Sequence, residues 1–311
     1  MCGIVGYIGT KQAKDYLLDG LETLEYRGYD SAGIATLDHD EISARKVVGR
    51  VEHLRQEESD SPVVGHLGIG HTRWATHGGV VNKNTHPHWD QDKEFFVVHN
   101  GIIENYEELR SFLKKKGYTF YSDTDTEVVP NLIAYHYKKT KNVTSAFQAA
   151  LQTLRGAYAL TMITVHDAEQ LYAAKVSSPL AIGVAEDELL IGSDALPIID
   201  RTQDVVFLED GEMAVLNKNG YKLSDIETKK SIERATEIVE VEEGSDALGD
   251  FPDYMSKEIH ESPATVRSAM LGRLRAEDGL IKLGGLELVA EQLRFIDRII
   301  ILACGTSYYA G

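Results

Sequence analysis

Apolar residues in the first part of the chain recur with the 3.6-residue period of a helix. The clearest case is a set of four leucines, Leu17, Leu18, Leu21 and Leu24. Asn105 with Glu108, and Thr124 with Glu127, have the spacing of a capping box, which marks a helix start. Helices are therefore predicted at about residues 13–25, 105–116, 124–133 and 144–154.

Short apolar runs bounded by Gly, Asp and Pro predict strands, and these come in blocks rather than alternating with helices. The run 95–98 is apolar at every position, so both faces of that strand should be covered. Blocks of strands joined by short turns favour antiparallel sheets, so we expect an α+β fold, a four-layer αββα sandwich. Strands are predicted at about residues 4–5, 34–37, 44–48, 68–72, 94–99, 158–164, 171–174, 180–184, 189–191, 205–208 and 213–216.

Three further segments stand apart from this pattern. Residues 73–93 are long and irregular and contain both tryptophans, and we interpret them as a mobile lid. Residues 227–250 are dominated by Glu, Lys, Ser and Asp, which is typical of a polar linker. After the linker we expect helices from about 262, with Pro263 in the first turn, and over 286–293, and then a buried strand at 299–303.

The charge balance limits the partners of this chain. Its 311 residues include 32 Lys and Arg and 49 Asp and Glu, which gives a net charge of −17. This charge argues against binding to nucleic acid or to an anionic membrane surface. No apolar run approaches the length of a membrane span, and two widely separated cysteines favour a reducing compartment. We therefore expect a cytoplasmic protein with no membrane partner.

The second residue offers candidate chemistry. Removal of Met1 would leave Cys2 with a thiol and a free α-amino group on one residue. Their ordinary pKa values, about 8.5 and 7.7 to 8, are close enough for the amine to accept the proton of the thiol. Cys2 is thus a candidate nucleophile with its own base. The alternative is a cysteine that stands at position 2 by chance.

Metal-binding interpretations are weaker. Asp123-Thr124-Asp125 resembles the start of a calcium loop, but Val128 occupies the sixth position, where an EF-hand needs Gly. The run His86-Pro87-His88 lacks further ligands at zinc spacing. We expect no metal and no cofactor.

Four motifs together resemble a known family. The motifs are Cys2-Gly3-Ile4-Val5-Gly6, Leu24-Glu25-Tyr26-Arg27-Gly28-Tyr29-Asp30-Ser31-Ala32-Gly33, His71-Thr72-Arg73-Trp74-Ala75-Thr76-His77-Gly78 and His99-Asn100-Gly101-Ile102-Ile103-Glu104-Asn105. With these motifs the chain resembles the glutaminase domain of the glutamine–fructose-6-phosphate aminotransferases, which are class II glutamine amidotransferases of the N-terminal nucleophile hydrolase type. The resemblance implies a glutaminase domain at 2–226, a linker at 227–250 and the truncated start of an α/β sugar isomerase domain at 251–311.

The resemblance also implies roles for single residues. Cys2 would attack the side-chain amide of L-glutamine, and the Asn100 amide with the Gly101 N–H would form the oxyanion hole. Arg73 suits the substrate carboxylate, because a guanidinium offers two parallel donors. Asp125 would accept the substrate ammonium. Further substrate contacts would come from Trp74, Thr76 and His77, and incomplete sugar-phosphate contacts from Thr306 and Ser307.

Each role has a plainer alternative. Asn100-Gly101 could be a type I′ turn, Arg73 a surface ion pair and Asp125 a helix cap. Trp74 could line the passage for ammonia or only anchor the lid. We expect Tyr26, Arg27, Tyr29 and Asp30 to shape the site around Cys2 or the path to the acceptor domain, unless they form only a packed turn.

The function expected from these patterns is glutamine hydrolysis, with ammonia destined for fructose 6-phosphate. Fructose 6-phosphate would be a partner only if the missing isomerase domains were supplied. One alternative is an amidophosphoribosyltransferase-like glutaminase, and another is a non-catalytic glutamine-binding subunit. The oligomeric state stays open, with a homodimer as one option.

Overall fold

The computed structural model describes residues 2–75, 78–239, 251–270, 274–275, 280–281, 290–293, 295–303 and 306–311. The chain forms two compact units that divide between residues 241 and 242. The first unit contains two large sheets with helices, and the second contains mainly one long helix.

The first unit is built on two antiparallel sheets, as predicted. Its strands are β1 (Gly3–Gly9), β2 (Ser31–Asp38), β3 (Glu41–Val48), β4 (Leu67–Arg73), β5 (His88–Trp89), β6 (Phe95–Ile103), β7 (Gly156–Thr164), β8 (Leu171–Val176), β9 (Ala181–Val184), β10 (Glu188–Gly192), β11 (Asp204–Phe207), β12 (Glu212–Asn217), β13 (Gly220–Asp225), β14 (Ser231–Ile232) and β15 (Glu237–Ile238). The first sheet has the order β15-β11-β9-β10-β1-β4-β2-β3, and the second has the order β14-β13-β12-β8-β7-β6-β5.

Helices cover one face of each sheet. They are α1 (Ala13–Thr23), α2 (Val51–Asp60), α3 (Tyr106–Lys115), α4 (Val128–Thr140), α5 (Val143–Leu151) and α6 (Leu196–Ile199). Residues of α1, α2 and α6 share an apolar cluster with the first sheet, and residues of α3, α4 and α5 share another with the second. A third cluster contains residues from both sheets, among them Ile4, Phe96 and Ile191.

The predicted double coverage of the strand at 95–98 is confirmed. Phe95 and Val97 belong to the cluster with α3, α4 and α5, whereas Phe96 and Val98 belong to the cluster between the sheets. Alternate side chains of a strand point to opposite faces, so an unbroken apolar run requires an apolar layer on each side.

Both predicted capping boxes are wrong, although the helices exist. The Asn105 amide does not cap α3; its Nδ2 donates to Thr153 O at 2.9 Å and its Oδ1 accepts from Arg155 N at 3.0 Å. The Glu127 carboxylate accepts from the backbone N–H groups of Tyr121 and Ser122, and α4 begins only at Val128. These polar groups stabilise loops instead of a helix start.

Helix α2 was not predicted, because its sequence is largely polar. Only Val51, Leu54 and Glu58 of its ten residues are buried, so the apolar signal is too sparse for a periodicity argument. Packing against α1 and β3, not intrinsic propensity, therefore accounts for this helix.

Two edge strands lie within the segment predicted as a linker. Ser231 and Ile232 in β14 pair with β13, and Glu237 and Ile238 in β15 pair with β11. Residues 227–239 thus extend the two sheets of the first unit, although their composition is polar. Residues 240–250 of the predicted linker lie outside the described residues.

The long helix of the second unit begins earlier than predicted. Helix α7 spans Tyr254–Met270, so Pro263 lies inside it and not in its first turn. The Asp253 carboxylate accepts from Ser256 N at 2.7 Å, which is the N-cap interaction that starts the helix. The remaining elements described here are β16 (Leu274–Arg275), which pairs with β17 (Leu280–Ile281), and α8 (Ala290–Leu293) and α9 (Thr306–Ala310).

The buried strand predicted at 299–303 is wrong for the structure described. These residues form no strand, and Ile299 is 80% exposed while Leu302 is 90% exposed. A strand needs a neighbour for its backbone N–H and C=O groups, and no described segment pairs with this one. Of the helix predicted at 286–293, only Ala290–Leu293 lies within the described part.

The second half of the predicted lid belongs to the interior. Asn84, Thr85, His86, His88 and Asp90 are all buried, and β5 joins the second sheet. This leaves the exposed residues 78–83 as the part of the segment that fits the description of a lid.

Four buried histidines lie where β4 of the first sheet meets β6 of the second. They are His71, His86, His88 and His99. The rings of His71 and His86 stack with centroids 4.0 Å apart, and His86 meets His88 edge-on at 4.6 Å. Burial lowers the pKa of His71 to about 3 and holds the pKa values of His86 and His88 well below 6.5. These three rings are therefore neutral at physiological pH.

We expect acid to unfold the first unit steeply because of these rings. Below pH 6.5 the unfolded chain binds protons at all three positions and the folded chain does not, so stability is lost as the pH falls. The free energy of unfolding should fall by up to about 4 kcal/mol per pH unit, because each of the three histidines contributes about 1.4 kcal/mol. Chemical denaturation between pH 7.5 and 5 measures it. His88→Gln should lower the slope by about one third, and an unchanged slope would contradict this origin.

Candidate active site

Cys2 precedes β1 at the edge of a small pocket. Its Sγ accepts a hydrogen bond from the Trp74 backbone N–H at 3.1 Å. Burial raises the pKa of the Cys2 thiol, and the Trp74 N–H and the charge of Arg73 oppose that rise. The Trp74 N–H and the Arg73 charge thus favour a thiolate, but burial prevails and keeps the pKa of the thiol above its ordinary value.

Asn100 and Gly101 lie inside β6, not in a turn. They pair with Ala159 and Tyr158 of β7, which excludes the alternative of a hairpin turn. The Asn100 Nδ2 donates to Cys2 O at 2.9 Å. Gly101 has φ +123°, and a Cβ there would lie 2.0 Å from Ala157 O, so no other residue fits.

Arg73 ends β4, and its guanidinium is buried. It donates to the carbonyl oxygens of Gly78 and Gly79 at 3.3 Å, which ties the exposed part of the lid segment to the strand. Burial lowers the pKa of Arg73, whereas the charges of Cys2, Asp30 and Asp125 favour its cationic form. This is not the exposed ion pair of the plainer alternative.

Asp125 lies in the loop before α4. Its Oδ2 accepts from Ile103 N at 2.8 Å, so the carboxylate is attached to the end of β6 and does not cap a helix. The buried Glu127 holds the same loop through the N–H groups of Tyr121 and Ser122. The loop is therefore fixed against the second sheet.

One pocket brings five of the predicted residues together. Its lining consists of Cys2, Arg73, Trp74, His86, His99, Gly101, Thr124, Asp125 and Thr126. A cation and an anion thus share a small pocket with the thiol, and Asn100 contacts Cys2 directly. A wider cleft at the other end of β1, near Ile8 and Leu67, contains none of the predicted residues.

The structure does not test the other predicted contacts. Thr76 and His77 lie outside the described residues. Thr306 and Ser307 are in α9 of the second unit, where the backbone is described. The described residues contain no group of three or more His, Cys, Asp or Glu that could hold a metal ion. Within the same residues, no helix is long and apolar enough to cross a membrane.

The loop at 26–30 supports the residues next to the thiol. Asp30 N donates to Arg73 O at 3.0 Å, and Asp30 Oδ2 accepts from Ala75 N at 2.8 Å, so these bonds bracket Trp74. A Cβ at Gly28 would lie 2.8 Å from Trp74 N. The Tyr29 and Trp74 rings meet edge-on at 5.7 Å. This loop therefore shapes the surroundings of Cys2.

Sequence reasoning did not assign several residues to this pocket that the fold places in or next to it. His71 contacts Asn100, and His86, His99, Thr124 and Thr126 line the pocket or its floor. The available signal was the polar residue inside an otherwise apolar strand, as at His71 in β4 and His99 in β6. A polar side chain in a doubly covered strand needs a hydrogen-bond partner, and that requirement points to a buried network.

Comparison with known proteins agrees with these features. Residues 71–200 match the model of the glutamine amidotransferase domain family. The glutamine–fructose-6-phosphate aminotransferase (isomerizing) of Clostridium acetobutylicum is 43% identical over all of this chain and 50% of its own length. The Thermus thermophilus enzyme of the same name is 42% identical over the same shares. The chain spans about half the length of the curated relatives that it matches.

A solved structure is also similar. The glutamine phosphoribosylpyrophosphate amidotransferase from B. subtilis is 28% identical, has a TM-score of 0.63, and covers 73% of this chain and 50% of its own. The two aminotransferases are more similar, with 42 to 43% identity over all of this chain. Residues 71–200 therefore match a glutamine amidotransferase domain, and the whole chain is similar to half of the glutamine–fructose-6-phosphate aminotransferases.

Proposed function

We propose that this chain hydrolyses L-glutamine to glutamate and ammonia through a thioester on Cys2. The observation that carries the proposal is the pocket where Cys2 meets a buried arginine and a buried aspartate. An amino acid presents one carboxylate and one ammonium, so paired opposite charges suit it. The thiol at the same pocket supplies the nucleophile.

Besides glutamine and water, the proposed reaction uses only the thiol and the α-amine of Cys2. Once Met1 is removed, the α-amine of Cys2 takes the proton of the thiol, and Sγ attacks the amide carbon of glutamine. The tetrahedral intermediate collapses as the amine passes the proton to the leaving nitrogen, which departs as ammonia. Water then adds to the thioester carbon and releases glutamate and the thiol.

Asn100 and Gly101 are proposed to bind the oxyanion of that intermediate. The contact from Asn100 Nδ2 to the Cys2 carbonyl places the amide nitrogen beside the nucleophile, which supports the assignment. Because the donors are held before substrate arrives, they need no reorganisation as charge develops, and one such donor contributes roughly 3 to 4 kcal/mol in other enzymes.

Arg73 is proposed to bind the α-carboxylate and Asp125 the α-ammonium of glutamine. Thr76, His77 and Trp74 would add substrate contacts. Arg73 also donates to Gly78 O and Gly79 O, so the proposed carboxylate-binding residue is connected to the exposed residues 78–83.

The wider setting is also proposed. The three apolar clusters support a four-layer αββα sandwich of the N-terminal nucleophile hydrolase type. The names of the relatives support fructose 6-phosphate as acceptor of the ammonia, giving glucosamine 6-phosphate in hexosamine synthesis once the isomerase domains are present. Thr306 and Ser307 would then contact the sugar phosphate. A cytoplasmic location and a homodimer stay predictions.

Two alternatives are less well supported. An amidophosphoribosyltransferase-like role rests on a 28% identical structure that covers 73% of the chain, against 43% identity over all of it for the aminotransferase. A non-catalytic glutamine-binding subunit would keep the charge pair but would not need a thiol in the pocket. Detection of a glutamyl thioester separates binding from catalysis.

Replacing the nucleophile should abolish turnover. Cys2→Ala is expected to reduce ammonia release from glutamine below about one thousandth of wild type, because nothing else in the pocket can form the thioester. Intact mass should show that Met1 is absent from the active protein. Cys304→Ala is the matched control and should keep activity. Full turnover by Cys2→Ala, or an active protein that retains Met1, would refute the mechanism.

Changing the carboxylate-binding residue should affect mainly substrate binding. Arg73→Lys keeps the charge but loses the two parallel donors, so KM for glutamine should rise about 10- to 100-fold. Measured kcat should change much less, since Arg73 is proposed to contact the α-carboxylate and not the reacting amide. Arg155→Lys is the control. A drop in kcat at constant KM would contradict the assignment.

Adding a methyl group at Gly28 should displace the Trp74 amide. Its Cβ would lie 2.8 Å from both Arg73 C and Trp74 N, so the Trp74 N–H should move away from Cys2 Sγ. We expect kcat for glutamine hydrolysis to fall about 10- to 100-fold and Cys2 alkylation to slow. Gly117→Ala has no atom within 4 Å of the added methyl but strains the backbone, because Gly117 has φ +91°, so it controls for a general loss of stability away from the pocket. Wild-type kinetics in Gly28→Ala would contradict this support role.

A further inference from the structure

His71 contacts Asn100, and the atoms around this contact determine where its hydrogen lies. It is buried in the middle layer of the first unit, 1% exposed, on the strand next to β1. Its Nε2 lies 3.0 Å from His99 O and 3.0 Å from Asn100 Oδ1. The ring thus reaches from β4 of the first sheet to β6 of the second.

Two backbone carbonyls determine the hydrogen positions. Because the His99 carbonyl can only accept, His71 Nε2 must carry the proton. The Cys2 carbonyl can also only accept, so the Asn100 amide must turn its nitrogen towards Cys2, at 2.9 Å. The Asn100 oxygen then faces His71 and accepts from the same N–H. The Nε2–H tautomer of His71 is therefore consistent with this orientation of the Asn100 amide.

A reversed Asn100 amide would be doubly unfavourable. Its NH₂ group would face the Nε2–H of His71, and its oxygen would face the Cys2 carbonyl. On the side of Asn100 away from Cys2, the N–H of His71 therefore favours the observed orientation of the amide over the reversed one. Burial lowers the pKa of His71 to about 3, so at neutral pH the ring is uncharged and carries a single N–H, which these contacts place on Nε2.

We propose that His71 is a positioning residue, whose Nε2–H holds Asn100 Oδ1 and so keeps the second N–H of the Asn100 amide beside Cys2, where the oxyanion forms. The inference rests on the proposed function. His71 does not touch the substrate, and its effect passes entirely through Asn100. It should therefore act on the step that develops negative charge and not on glutamine binding.

The test compares His71→Leu, which has no donor, with His71→Gln, which can place an NH₂ near the position of Nε2. For the full chain, kcat of glutamine hydrolysis should fall about 100-fold in the leucine variant, with KM within about threefold of wild type. The glutamine variant should recover at least about tenfold of that loss. His136→Leu, a half-buried histidine on α4 outside the pocket, is the control.

Alkylation of Cys2 by iodoacetamide distinguishes positioning from general damage. This displacement forms no oxyanion, so its rate should stay within about twofold in both His71 variants. Equal losses of kcat in the leucine and glutamine variants, or a parallel loss of alkylation, would overturn the proposal. Absence of glutaminase activity in the wild-type protein would instead refute the proposed function.

A measurement on the wild-type protein does not depend on the variants folding. Long-range ¹H–¹⁵N spectra of histidine-labelled wild-type protein, with the His71 ring signals assigned by through-bond correlation to its own backbone, should show the Nε2–H tautomer. An Nδ1–H tautomer or a protonated ring at His71 would overturn the proposal.

Discussion

The candidate active site depends on polar bonds that cross between two apolar sheets. Cys2 directly precedes β1 of the first sheet, and Asn100 lies in β6 of the second. A hydrogen bond of 2.9 Å joins these two residues, which are 98 positions apart. His71 makes the corresponding link from β4 to β6. These bonds set the relative positions of Cys2, the proposed nucleophile, and Asn100, the proposed oxyanion donor.

The apolar layer between the sheets makes these bonds dependable. Facing sheets pack about 10 Å apart, and the distance is set by interdigitating side chains such as Ile4, Val98 and Ile163. A hydrogen bond tolerates only a few tenths of an ångström of error, so a well-packed core is needed to hold it. The same burial removes water, which strengthens the electrostatic interactions of the pocket and makes every unpaired polar atom costly.

Two loops, the one at 26–30 and the one before α4, complete the site at the edge of the sheets. Asp30 and Gly28 fix the peptide around Trp74, and Glu127 fixes the loop that carries Asp125. Asp30, Gly28 and Glu127 are charged or small residues, which sequence rules would assign to helix caps or to turns. The fold instead uses them to position backbone groups, because a pocket at the end of a sheet is bounded mainly by loops.

The sequence by itself predicted most of the regular elements and singled out the candidate site residues. The Cys2 thiol as a candidate nucleophile and the double coverage of the strand at 95–98 follow from residue type and period, which are local properties, whereas the roles proposed for Arg73 and Asp125 came from the family resemblance. Tertiary structure decided that Asn100-Gly101 lies in a strand, that Asn105 and Glu127 bind loops, and that α2 and the edge strands β14 and β15 form. It also decided that His71 meets Asn100. These outcomes depend on partners dozens of residues away, and no local pattern encodes which partner a hydrogen-bonding group will find.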